Sequence, residues 1–565
     1  VRHARIIAVV ALAAALSAAA VAPAGAQSAD TLTVSDKGVT KPPGTGLGTK
    51  AALDNPKCNP NTVQGWGTFT MITADGGPFC VAPAPADNGG STSRGVTADT
   101  IKVVVVTPSP QSTQAAGSSG GSNLNRATGE PPTPKAAILD MWSALSHVYE
   151  TWGRDVEFVF IESSGLDEAS QRADAVKVAE EKPMFVLDLD SRGLETLSTT
   201  LAQQKVVVYS YSTTPDAARA LAPYLWGLFD SNANAANAAE FIDKQVVGGK
   251  AEHAGDESLQ RKARTFGLVH PQDYDADAFL TRFDQSGGKL ATPALTYPWN
   301  GAPLGDPTSA QEQAPTVISK LKAAGVTSVI LFTDVAMTGA LTKAAAKQEF
   351  SPEWILTGFQ YQDIAFLARN YDQEEFDHAF GISNLSPWAV RPGNQRPPSL
   401  IDWYWGPTQG SVATVTQDRA NWLAQAIHYS GPTLTPKNVQ RGLFSVPARG
   451  GAASDDPLTT QVGRGFTSGL KQPSYFNLGH DYAPVWYDAD SQGPSAGLDA
   501  VGQGVTWYVE GGARYQAGDW PEKPLPFFDK KGAVASIEVD SAAAGTVLPC
   551  TGCPSEGGAG TPSQA

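Results

Sequence analysis

A chain of 565 residues, 41% hydrophobic and 17% charged, holds enough apolar material for two or more sizeable domains. Its 56 glycines and 41 prolines are too few for a fibrous or disordered chain but predict long loops and tails. A formal net charge of −15 argues against nucleic acid as a partner, and it reads as solubility in an extracellular medium rather than as an acidic binding surface.

Residues 1–26 have the features of a secretory signal: Arg2 and Arg5 at the start, an Ala/Val/Leu run from Ile6 to Ala22, and Ala24-Gly25-Ala26 as a small-residue cleavage site. Cleavage there takes the charge from −15 to −17. Gln27 stands where a lipid-anchored protein would carry cysteine, so the expectation is an exported protein in the extracellular or cell-envelope space without a lipid anchor. No later stretch reaches the ~18 continuous apolar residues of a membrane span.

Residues 27–95 are rich in Pro, Gly, Asn and Ala and read as an extended leader containing Cys58 and Cys80. The other two cysteines, Cys550 and Cys553, lie in a tail over residues 531–565. An even number of cysteines in an exported chain predicts disulfides; four allow three pairings, of which Cys58 with Cys80 is favoured. Cys550 and Cys553 have the spacing of a redox pair. They sit in a Gly/Pro/Ser tail without the helix start that lowers a thiol pKa, so a structural disulfide is the better reading.

The ordered pattern starts with Ile101–Val106, a β-branched run without polar alternation, as in a strand buried on both faces of a parallel sheet. Ile138, Trp142, Leu145, Tyr149 and Trp152 then mark one face of a helix over 135–152. Strands at 156–161, 184–189 and 206–210 alternate with helices at 167–181 and 193–203, which predicts a right-handed doubly wound sheet. The programme repeats with helices at 232–246, 275–285, 316–324 and 336–348 between strands at 265–270, 289–297, 326–333, 353–358 and 378–385. Helices at 417–429 and 436–443 and an antiparallel pair, 484–493 with 504–512, complete the two halves, so the chain must cross between them more than once.

Several stretches in order carry a resemblance: "GVTADTIKVVVV" opening the fold, "VVVYSYSTTPDA" at 206–217, "AAEFIDKQVVGGKA" at 238–251, "FGLVHPQDYDADAF" at 266–279, "LKAAGVTSVILFTDVAMTGALTKAA" at 321–345 and "WILTGFQYQD" at 354–363. Over about residues 95–530 the sequence resembles the type I periplasmic binding proteins, specifically the branched-chain amino-acid (leucine/isoleucine/valine) receptors of ABC transporters. The leader with "KCNP", "PFC" and "NGG" looks like that of actinobacterial members.

The resemblance implies an α/β fold of two doubly wound parallel-sheet lobes joined by three crossovers, closing on a small solute. It divides the chain into lobe one (96–229 with 385–475) and lobe two (230–384 with 476–530). It also implies a monomeric receptor, not an enzyme, that needs no cofactor and has an ABC permease as partner. The carboxyl ends of the strands nominate a site of Thr107 and Ser109, Asp190 and Ser191, Tyr211, Ser212 and Thr213 from lobe one, and Tyr274, Asp334, Gln360 and Tyr361 from lobe two. In the family, hydroxyls and amides at the position of "SYSTTP" hold the solute's carboxylate. Where amino-acid receptors pair the ligand's ammonium with a glutamate, this chain has Gln360, and where they carry a Ser-rich backbone it has "DLDSRG". A neutral amide cannot compensate a buried cation, so an amino-acid-like solute would need Asp190 or Asp334 instead; amides and short carboxylates are the other expected classes.

Other chemistry is weaker. Gly117–Gly121 fits G-x-S-x-G but lacks the strand and helix of a nucleophile elbow, and no close histidine pair suggests zinc. Asp488–Asp499 loosely fits a calcium loop without its terminal glutamate and reads as a hairpin turn. Asp402–Pro407, "DWYWGP", reads as core packing rather than as a stacking platform. The loop 109–134 is longer than its connection requires, and a lid and a tolerated insertion are equally good readings. A free-standing ligand sensor or scavenger on the same scaffold, without a transporter, is the alternative function, and an extracellular hydrolase a more distant one.

Overall fold

The computed structural model describes residues 30–34, 86–108, 133–385, 414–494 and 501–536, with breaks at 147–148, 166, 191–194, 212, 273, 300–304, 447, 449, 453–459 and 467–472. The signal segment, all four cysteines, Gly117–Gly121 and the 402–407 stretch lie outside the described residues.

The first sheet is built on β2 (Thr100–Thr107), whose Val103, Val104, Val105 and Val106 are each 0% exposed. Burial on both faces contributes roughly 1.5–3 kcal/mol per valine, which is why this run is a central strand rather than an edge. It lies between β3 (Asp155–Glu162) and β4 (Phe185–Asp188), and parallel pairing continues through β5 (Val207–Tyr209), β6 (Leu225–Phe229) and β14 (Phe476–Leu478). At the other edge β1 (Asp30–Val34) pairs antiparallel with β3. Odd-numbered side chains such as Val103, Val105, Leu187 and Tyr209 face the helices at Pro134–Leu145 and Thr414–Ser430. Even-numbered ones such as Val104, Val106, Val186 and Val208 face Glu168–Glu180 and Thr196–Gln203.

The second sheet runs in parallel through β8 (Leu295–Tyr297), β7 (Phe266–Pro271), β9 (Ser328–Leu331), β10 (Glu353–Leu356) and β11 (Ala379–Ser383). It ends in the antiparallel strands β15 (Ala483–Pro494), β16 (Val501–Tyr508) and β17 (Val534–Ala535), and two short strands, β12 (Gly465–Phe466) and β13 (Pro473–Ser474), form a separate antiparallel pair. Helices Pro307–Ala323 and Val335–Lys347 cover one face, and Ser231–Gln245 and Asp277–Gln285 the other. Two α/β halves, each a mainly parallel sheet between helices, thus form one molecule.

The chain passes between the halves three times: from β6 into the helix Ser231–Gln245, from β11 to the helix Thr414–Ser430, and from β14 into β15. The structure corrects the sequence reading in three places. Phe476–Leu478, assigned by sequence to the second half, pairs with β6 of the first. Asp30–Val34 of the supposed leader and Val534–Ala535 of the supposed tail are edge strands. The end of the leader is also tied in: buried Arg154 donates to the carbonyls of Asn88 (2.8 Å), Gly90 (3.1 Å), Thr97 (2.7 Å) and Pro432 (3.0 Å). Among the described residues no helix is long and apolar enough to cross a membrane, and no cluster of three or more His, Cys, Asp or Glu is placed to hold a metal. The Asp488 carboxylate is instead bound by the Asp490 and Ser491 amides, the Ser491 hydroxyl and the Lys530 ammonium.

Candidate functional site

In the first half, strand alternation puts Tyr209 and Tyr211 on one side of the sheet, towards the helix Thr414–Ser430. There Trp422 stacks on Tyr209 at 5.0 Å. Asp418, one turn earlier, accepts hydrogen bonds from both phenols, with Tyr211 Oη at 3.3 Å. The Arg419 guanidinium lies over the Tyr211 ring at 3.8 Å and donates from Nε to the Asp188 carbonyl at 2.6 Å, where β4 ends. Asp188 Oδ2 accepts from Ser210 Oγ (3.0 Å), and its Oδ1 from the Asp190 amide (3.0 Å).

From the second half, the loop after β10 brings Tyr361 to this cluster. Its ring meets Phe229, at the end of β6, at 6.0 Å, and its phenol lies within electrostatic reach of Asp418 and Arg419. Burial first, then the Asp418 charge, pushes the Tyr361 phenol up to about 12 and those of Tyr209 and Tyr211 well above the usual tyrosine value. All three are therefore neutral donors at physiological pH. The loop that carries Tyr361 has positive φ at Gly358 (70°), Gln360 (45°) and Tyr361 (62°). For non-glycine residues such backbone costs about 1–2 kcal/mol each, and it persists where surrounding structure enforces it, commonly at binding sites.

The sequence-nominated residues divide accordingly. Tyr211 and Tyr361 lie within electrostatic reach of each other across the halves, and half-buried Gln360 adjoins Tyr361. Asp190 and Thr213 are buried beside the same first-half strand ends, at 5% and 7% exposure, and the Thr213 hydroxyl has no hydrogen-bond partner. Thr107 is half-buried at the end of β2, with its hydroxyl 3.5 Å from the Ile161 carbonyl. Tyr274 belongs to an aromatic wall at the strand ends of the second half. It stacks on Phe332 at 5.0 Å and meets Phe359 edge-on at 5.2 Å, with its hydroxyl shielded and unpartnered.

Asp334 is not brought to this cluster. It caps the helix Val335–Lys347, with Oδ1 accepting from the Met337 amide (2.9 Å) and Oδ2 from the Tyr297 hydroxyl (2.8 Å). Ser109, Ser191 and Ser212 lie outside the described residues.

Sequence reasoning missed Asp418 and Arg419, which it treated as part of a covering helix. The available signal was an adjacent pair of charges just before "ANWLAQAI", since charged residues are rarely buried unless paired.

No family model matches the sequence, and no curated protein matches it. Among solved structures, the chain is similar to an ABC transporter solute-binding protein from R. palustris in complex with 4-hydroxybenzoate, at 15% identity over 75% of this chain and 98% of that one, with a TM-score of 0.43. It is also similar to the leucine-, isoleucine-, valine-, threonine- and alanine-binding protein from Brucella ovis in its closed conformation, at 9% identity over 76% and 97%, with a TM-score of 0.47. A third similar structure is a fatty acid ABC transporter substrate-binding protein from Thermomonospora curvata, at 15% identity over 74% and 94%, with a TM-score of 0.46.

Proposed function

We propose that this protein is an exported, monomeric solute-binding receptor that closes its two halves around one small molecule and hands it to an ABC importer. The observation that carries this reading is the approach of Tyr361 of one half, its ring against Phe229, to within electrostatic reach of Tyr211, Asp418 and Arg419 of the other, at the carboxyl ends of two parallel sheets. Strand ends of this kind point backbone amides and helix starts into a crevice, and a solute that touches both faces shifts the population towards closure. The site binds without transforming its solute.

The lining favours an amide or a short carboxylate over an α-amino acid. An ammonium needs an available carboxylate, yet Asp334 is spent on its helix cap, Gln360 is neutral and Asp418 already accepts two phenol hydrogens, which leaves an α-amino acid dependent on the buried Asp190 among the nominated residues. The Tyr361 phenol and the Thr213 hydroxyl supply neutral donors, which suit a ligand with acceptor oxygens.

The test is a thermal-shift panel that pairs each amino acid with its deaminated acid, such as L-leucine with 4-methylpentanoate and L-phenylalanine with 3-phenylpropanoate, together with simple amides. A bound solute raises the Tm with the logarithm of its concentration over Kd. The expected result is a shift with an acid or amide and none with its amino-acid partner. A shift confined to amino acids would refute the ligand class and keep the receptor; no shift in any class would count against the receptor.

A further inference from the structure

Arg514 lies beyond the last crossover, distant from Tyr211 and Tyr361 in sequence, yet its side chain is 0% exposed and grips chain segments from two crossovers at once. Its Nε donates to Asp481 Oδ2 at 3.0 Å, and Nη2 reaches Asp481 Oδ1 and the Asp481 carbonyl, each at 3.1 Å. Asp481 belongs to the third crossover, between β14 and β15. The same guanidinium donates from Nη1 to the Leu385 carbonyl (2.6 Å) and from Nη2 to the Asn384 carbonyl (3.1 Å), immediately after β11, where the second crossover begins.

The contacts extend in both directions. Asp481 Oδ1 also accepts from the Gln461 amide (2.9 Å) and the Thr460 hydroxyl (3.2 Å), residues that follow the first half's helices. Tyr515 exchanges two backbone hydrogen bonds with Tyr482, at 2.8 and 2.9 Å. The third crossover is tied to the first through Asp230, whose amide donates to the Leu478 carbonyl (3.1 Å) and whose Oδ2 accepts from Ser474 Oγ (2.9 Å).

We infer that Arg514 is a hinge brace. One planar guanidinium holds the second and third crossovers side by side, so that the halves swing about a common axis instead of twisting independently. Only arginine fits this task. Its fork can satisfy a carboxylate bidentately while the remaining N–H groups reach two carbonyls, whereas a lysine ammonium is a single point that can serve one crossover or the other. A buried pair is no guarantee of stability, since well-packed apolar residues often replace one without loss; what such a pair can supply is orientation. Arg514 is thus a positioning residue that touches no solute. The inference rests on the reading that the halves move relative to each other.

The experiment compares the full-length wild type with Arg514→Lys and with the double variant Arg514→Met/Asp481→Leu, which removes both charges together and keeps the fold accessible if the lysine variant unfolds. Without ligand, hydrogen exchange is followed at the amides of Asp230, Tyr482 and Tyr515 and, as an internal control, at Val103–Val106 and Val329–Leu331. Small-angle scattering of the same samples gives the maximum dimension. A brace predicts about tenfold faster exchange at the three crossover amides, unchanged core strands and a larger maximum dimension. Equal acceleration everywhere would make the pair an ordinary stabiliser of the fold. Wild-type exchange and scattering in the double variant would likewise overturn the inference. Neither result depends on the solute panel, so the brace and the receptor reading can fail separately.

Discussion

Two buried carboxylates bear on the pH at which this fold is most stable. Asp363 is 3% exposed with neither carboxylate oxygen in a well-formed hydrogen bond, and burial pushes it up to about 6, with Ser383 and Arg514 offsetting only part of the effect. Glu375, 2% exposed, is pushed up to about 7 by burial despite accepting from Ser351 Oγ (2.6 Å) and Trp354 Nε1 (3.3 Å). Both folded values lie above the unfolded ones. Their contribution is therefore fully present below about pH 4 and is lost as the pH rises through 6 to 7, by at most roughly 3 kcal/mol for Asp363 and roughly 4 kcal/mol for Glu375. Urea unfolding of Asp363→Asn should accordingly show a smaller loss of stability between pH 5 and pH 8 than the wild type; an unchanged loss would contradict the assignment. At the proposed binding site, Tyr361→Ala should weaken solute binding by tenfold or more while shifting the Tm little, because the side chain is half-buried and belongs to no core cluster; calorimetry and a melting curve together check this. The same residues show how far a sequence can be read at this scale. Asp334 stands directly before an apolar-periodic helix, the position of an N-cap, so its structural role was readable and was overlooked in favour of a ligand role. Asp418 was not readable in its role, because the phenols it serves are more than two hundred positions away in the chain.

At the scale of elements, β6 and β14 fit together through an absent side chain. A Cβ at Gly227 would lie 2.4 Å from Phe476 Cε1, so glycine is what lets the Phe476 ring lie against β6 and bring the third crossover onto the first sheet. Gly227→Ala should cost roughly 1–3 kcal/mol by overpacking, read as a lower denaturation midpoint, and should speed hydrogen exchange at Asp230, whose amide bonds the Leu478 carbonyl. Glycine within a short strand also hid β6 from the sequence pattern. The helix Pro307–Ala323 was shortened in the sequence reading for a related reason: Pro315 reads as a breaker, yet it sits inside the helix. The loop after β10 shows the opposite tension. Gln360→Gly relieves a left-handed residue and should raise stability by up to about 1 kcal/mol, while the looser Tyr361 weakens solute binding. A gain in both would argue that the strain has no part in the site.

For the molecule as a whole, the two-half architecture was the most legible feature, because two runs of alternating strands and amphipathic helices leave few ways to bury their apolar faces. The placement of segments that leave one half for the other was not legible, since β1, β14 and β17 are two to five residues long and owe their existence to partners far away in the chain. The account as a whole depends on three crossovers acting as a hinge, with Tyr361 on one half approaching Tyr211, Asp418 and Arg419 on the other. The most direct test is small-angle scattering of the full-length protein titrated with the acid or amide that gives the largest thermal shift. The account predicts a radius of gyration that falls and saturates at one equivalent of solute, with Tyr361→Ala needing at least tenfold more to reach the same endpoint. Saturable binding with an unchanged radius of gyration would contradict closure of the two halves around the solute.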